Sequence, residues 1–137
     1  MENKKQLVLD AFNNKETERV PVGFWFHYTK NEMLSAYGNP EMRGQNLSGH
    51  KNFFEKFSPD FVKIMSDGYF FEPKTSEFLR NVKSASDLYG LKPIDENDKW
   101  ILDQVSLVKE LVSFFGGEVL SFYNVFAPAT AFKWAIE

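Results

Sequence analysis

Stretches with apolar residues at helical spacing alternate along this chain with short runs in which apolar residues are continuous. Leu7, Val8, Ala11 and Phe12 share one face of a predicted N-terminal helix, and Asn13-Asn14 is its stop signal. After a polar turn, Val20-Pro21-Val22-Gly23-Phe24-Trp25-Phe26 is apolar on both alternating faces. That is the pattern of a strand covered on both sides, and Pro21 suits only its beginning. Tyr37-Gly38-Asn39-Pro40 breaks the next segment. Leu47, His50, Phe54 and Phe57 then line one side of a helix closed by Ser58-Pro59.

Phe61-Val62-Lys63-Ile64-Met65 is the second predicted strand, ended by Ser66-Asp67-Gly68. The tract over residues 69–94 carries weaker signals, among them Pro73, Pro93 and a short helix capped by Ser84 or Ser86. From Asn97 the spacing predicts the longest helix, with Ile101, Val105, Val108, Val112 and Phe115 as its stripe and Leu107, Leu111 and Phe114 widening it. Gly116-Gly117 ends it as a left-handed cap. Residues 119–126 are the third strand, broken by Pro128, and residues 129–137 begin another helix. The order is α-β-α-β-α-β-α, with crossovers long enough for parallel pairing.

In parallel α/β folds the loops at the carboxyl ends of strands converge on the site. Here those loops hold His27-Tyr28-Thr29-Lys30, Ser66-Asp67-Gly68 and residues 124–130. Asp67 is the foremost carboxylate: at the mouth of an apolar strand it is placed to accept hydrogen bonds or stabilise developing positive charge. Asp-Gly between two apolar runs is equally a hairpin signal. His27 is a candidate acid or base and Lys30 a candidate cation for a carboxylate or phosphate. His50, inside a Phe-bearing helix, reads as structural, and the Phe70-Phe71 and Phe114-Phe115 pairs read as core.

Composition narrows the function classes. At 137 residues the chain has the size of one domain, and 43% apolar with 26% charged residues is a folded, water-soluble balance. The net charge of -3 argues against non-specific nucleic-acid binding. With no cysteine and two histidines, disulfides and thiolate metal sites are excluded and a zinc site would need several carboxylates. The expectation is no metal, no membrane span and a cytoplasmic protein. Aromatics reach 17%, with 15 Phe, which is more bulky apolar surface than a small domain usually hides.

Three segments carry a family resemblance. Lys5-Gln6-Leu7-Val8-Leu9-Asp10-Ala11-Phe12 followed by Glu18-Arg19-Val20-Pro21-Val22 resembles the opening of the uroporphyrinogen decarboxylase family, whose relatives include corrinoid and coenzyme M methyltransferases. Residues 61–67 look like that family's apolar strand ending in Ser-Asp. Residues 127–137 are similar to its A-P-x-T-x-x-x-Y segment, with Trp134 at the tyrosine.

The resemblance implies an α/β fold, a partial TIM (β/α)8 barrel of about three parallel strands with flanking helices, in which residues 1–137 are the N-terminal part of a larger barrel domain. It implies a carboxy-lyase acting without a cofactor on a porphyrin-related or divergent small-molecule substrate, and inactive as this fragment alone. Asp67 matches the aspartate that binds pyrrole N–H groups and stabilises the protonated intermediate. His27, Lys30, Tyr123 and Trp134 are the substrate-contact candidates around it. Phe26 and Lys30 stand where the family's R-Q-A-G-R-Y loop has arginines, a departure that points to a different substrate. A methyltransferase relative is the alternative within the resemblance, and a non-catalytic α/β module binding a partner through its aromatic face is the alternative outside it. Unpaired strand edges imply self-association.

Overall fold

The computed structural model describes residues 3–32 and 34–136, so Glu137, the last residue of the predicted C-terminal helix, lies outside the described residues. The fold is mixed α/β and mostly helical, with two parallel strands in an open sheet. Helix α1 (Lys4–Phe12) is capped by the Asn3 side chain, which accepts from the Gln6 amide, and buries Leu7 and Val8. Helix α2 (Pro40–Phe57) starts with Asn39 as its cap and Pro40 in its first turn. It ends at Ser58, held left-handed at φ 44. Pro59 disfavours the helical conformation at that position, and Lys4 covers the freed end by donating from Nζ to the Ser58 carbonyl at 2.6 Å.

Strand β1 (Phe61–Ile64) pairs in parallel with β2 (Leu120–Tyr123), Phe61 opposite Leu120 and Ile64 opposite Tyr123. One more bond, Asn124 N to Ile64 O at 2.9 Å, extends the ladder. The crossover holds α3 (Pro73–Arg80), a 3-10 turn (Ala85–Gly90) capped by Ser84, and α4 (Lys99–Phe114). The core lies between the sheet and the helices α2 and α4. Val62 and Ile64 meet Leu107, Leu111 and Phe115 there, all but fully buried. Gly116 and Gly117 take the expected left-handed values, φ 64 and 74. The final helix, α5 (Pro128–Ile136), packs against α3.

The opposite sheet face is aromatic. Phe61 and Phe122 meet edge to face at 5.8 Å, and Phe12 of α1 adds a third ring 5.6 Å from Phe122. Each such contact adds roughly 0.5–1.5 kcal/mol beyond burial.

The expectation of a strand at residues 20–26, the first of three, is corrected: among the described residues no strand forms there. The segment runs beside β1 in the same direction: Val22 is bonded to Asp60, Gly23 lies on the Phe61 ring, and Lys63 Nζ sits 4.5 Å over the Trp25 ring. Among the described residues, only one backbone bond joins it to β1, Asp60 N to Val22 O at 2.8 Å. The ladder fails because Pro21 has no N–H and because side chains take its place at both ends. Asp60 accepts the Val22 amide at 2.8 Å and binds Arg19 through both oxygens at 2.6 and 2.7 Å. Asp67 accepts the Tyr28 amide at 2.9 Å. A pair of aspartates at the two ends of β1 does the work of a ladder.

The hairpin alternative at Asp67-Gly68 is also settled. A turn forms, Tyr69 N to Ser66 O at 2.8 Å, but no returning strand follows. Instead Gly68 is held by Glu32 and Ala36: its amide donates to Glu32 O and its carbonyl accepts from Ala36 N.

Candidate functional site

At the carboxyl end of β1 the Asp67 carboxylate is fully buried. Both of its oxygens are engaged. Oδ2 accepts the Tyr28 amide, and Oδ1 lies 2.9 Å from Nδ1 of His27. A carboxylate only accepts, so Nδ1 carries the proton, and the ring's other nitrogen, Nε2, is left to act. The His27 side chain is 50% exposed against 0% for Asp67. This is a buried carboxylate orienting an accessible imidazole, an arrangement that fixes the ring and sets its tautomer.

Helix α2 builds the floor. Asn46, His50 and Phe53 lie on its buried face, with Gly49 between them. Asn46 Nδ2 donates to the carbonyls of Met65 and Asp67, each at 3.2 Å. His50 Nε2 accepts the Met65 amide at 2.9 Å and its Nδ1 lies 2.8 Å from the Asn46 carbonyl. Those two bonds are satisfied together only by a neutral ring protonated on Nδ1. Burial pushes the His50 pKa down, consistent with that form. Tyr28 packs at a tilt against the same ring, centroids 4.3 Å apart, and burial together with the Asp67 charge pushes its hydroxyl up to about 12. A Cβ on Gly49 would fall 2.4 Å from Tyr28, so this close approach needs glycine.

The structure therefore brings together two of the residues singled out in the sequence, Asp67 and His27. Lys30 is exposed, and its backbone amide donates to Gln45 Oε1 at 3.2 Å. Tyr123 turns to the helical layer, where its hydroxyl donates to Gln104 Oε1 at 2.8 Å and burial raises its pKa to about 12. Trp134 is partly exposed and packs against Phe126 at 4.8 Å and Phe70 at 6.5 Å. Asn46 was not singled out; a polar residue four before His50 on an apolar helix face was its only signal. Among the described residues, no cluster of three His, Asp or Glu side chains is arranged to hold a metal ion, and no helix is long and apolar enough to cross a membrane.

No protein family, curated protein or solved structure matches this chain.

Proposed function

We propose that this chain is the N-terminal part of a (β/α)8 barrel enzyme related to the uroporphyrinogen decarboxylases, with His27 and Asp67 as its proton-handling pair. The observation that carries the reading is the buried Asp67 carboxylate bonded to the exposed His27 ring at the carboxyl end of a parallel strand. Loss of CO2 breaks the bond between a carboxylate and its neighbouring carbon, and the electron pair left behind must take a proton. An imidazolium at His27 supplies that proton from Nε2, while Asp67 holds Nδ1 and balances the charge. The parallel direction of β1, β2 and the segment at residues 22–28 supports the barrel, because its strands all run one way around the axis.

The test is CO2 release from small carboxylated aromatic substrates by the enzyme that contains this segment. His27→Ala and Asp67→Asn should each cut turnover by about 100-fold or more. Turnover unaltered in both variants overturns the reading.

A second reading rests on the exposure of Phe24, Trp25, Phe26 and Phe57 on neighbouring segments. In the barrel these rings are covered by further β/α units; in a binding module they take up a protein partner or a second copy. Sedimentation tests the second copy: a compact monomer at roughly millimolar concentration removes it as the occupant of these rings.

A further inference from the structure

A cleft of about 350 Å³ opens one residue beyond Asp67, and it is walled by Gly68, Ser35, Phe70, Phe71, Ser76 and Arg80. Among the described residues its only cation is Arg80, in the last turn of α3. The chain has three arginines. Two are committed to the fold: Arg19 grips Asp60, and Arg43 lies 3.3 Å from Asp103 and 3.5 Å from Glu110. Among the described residues no carboxylate pairs with Arg80.

Three other polar groups of the cleft already have partners. Ser76 donates to the Glu72 carbonyl at 3.0 Å, Ser35 donates to the Tyr37 carbonyl at 3.4 Å, and the Gly68 amide donates to Glu32. The Arg80 guanidinium is a charged donor set, and its planar N–H groups match a planar oxyanion through two parallel bonds. The rest of the wall is ring surface and aliphatic carbon.

We propose that this cleft binds a compact monoanion, an aryl or branched aliphatic carboxylate, with its oxyanion on Arg80 and its apolar body against Phe70 and Phe71. The location follows the rule for open parallel sheets, in which ligands settle outside the carboxyl ends of the strands. Neither His27 nor Asp67 lines this cleft, so the proposal stands apart from the decarboxylase-like reading, and binding at equilibrium is tested independently of turnover.

The experiment titrates the chain with benzoate, benzamide and inorganic phosphate, following backbone amides by NMR. Benzoate should give saturable shifts at Gly68, Ser76 and Arg80. Benzamide, of the same shape without the charge, should bind at least about tenfold more weakly, as should phosphate, which lacks the ring. Arg80→Gln should weaken benzoate by about tenfold or more while leaving the spectrum folded. Equal binding of benzamide overturns the proposal, and so does equal binding of phosphate or shifts centred elsewhere. Arg80→Gln that lowers the melting temperature but leaves benzoate bound makes Arg80 a helix-end charge only, and also overturns it. If benzoate binds while CO2 release survives His27→Ala and Asp67→Asn, the cleft stands and the catalytic reading falls.

Discussion

Met65 gives its backbone amide to a side chain, the Nε2 of His50, at 2.9 Å, where a further strand residue would seek a ladder partner. The bond needs an unprotonated Nε2. Burial holds the His50 pKa below its ordinary value of 6.5, so in mild acid the unfolded chain takes up a proton that the folded chain refuses. The contribution is fully present above 6.5 and is lost progressively as the pH falls below it. One such group gives a slope of at most about 1.4 kcal/mol per pH unit. Urea midpoints should therefore fall between pH 7 and pH 5. His50→Gln, whose amide oxygen accepts from Met65 without titrating, should remove most of that slope. Parallel slopes in the two proteins would show a ring that charges within the fold.

Asn46 ties the same turn down from the helix side, because its amide spans the Met65 and Asp67 carbonyls. Its Oδ1 is buried without a hydrogen-bond partner among the described residues, so the residue is kept for what Nδ2 does. Asn46→Ala should cost about 2–3 kcal/mol, since it orphans buried carbonyls. It should also let Asp67 move and shift the neutral His27 ring away from the Nδ1–H tautomer. Nitrogen-15 spectra of the imidazole read that shift directly. A folded variant with the His27 tautomer unchanged would make Asn46 a packing residue and nothing more.

Asp60 provides the other anchor, at the start of β1. Its hydrogen bonds from Arg19 hold its pKa below the ordinary 3.8. The associated stability is present above that value and disappears as the pH falls through the lower folded one. Asp60→Asn keeps an acceptor for Val22 but loses the charge, so it should cost about 1–2 kcal/mol at pH 7. The difference from the parent should shrink below about pH 3. Arg19 is partly solvated, which is why the figure is modest. A constant difference down to pH 2, measured by denaturant titration, would count against the ion pair as the cause.

Local pattern accounts for much of this architecture and stops where distant side chains intervene. The stripe from Ile101 to Phe115 is α4, and the two apolar runs around Val62 and Phe122 are β1 and β2. Helix α3 was illegible because Pro-Lys-Thr-Ser-Glu carries no apolar period; its start depends on Glu72, whose carboxylate accepts the amides of Lys74 and Thr75. Residues 20–26 mimic a buried strand. Their ladder is replaced by Asp60 and Asp67, 38 and 39 positions further along from the amides they bind. No window over the local sequence contains both partners. The same separation explains the site: His27 and Asp67 were visible singly at strand ends, whereas the floor of Asn46 and His50 came from a helix whose polar residues read as structural.

Two glycines of α2 give the sharpest separation of backbone from packing effects. Both Gly44 and Gly49 lie in the helix interior, where alanine ordinarily stabilises by about 1 kcal/mol. A Cβ at Gly44 meets nothing within 4 Å, so Gly44→Ala should raise stability by roughly 0.5–1 kcal/mol. A Cβ at Gly49 falls 2.4 to 2.7 Å from the Tyr28 Cβ and ring, and Tyr28 cannot retreat without releasing its amide from Asp67. Gly49→Ala should therefore reverse the sign and cost about 1–3 kcal/mol. It should also displace His27, one residue away, and weaken its bond to Asp67. Urea midpoints of the two variants, measured side by side, check the opposite signs. Stabilisation by both alanines would mean that Tyr28 is not pressed onto α2 and that the His27–Asp67 pair has no rigid floor.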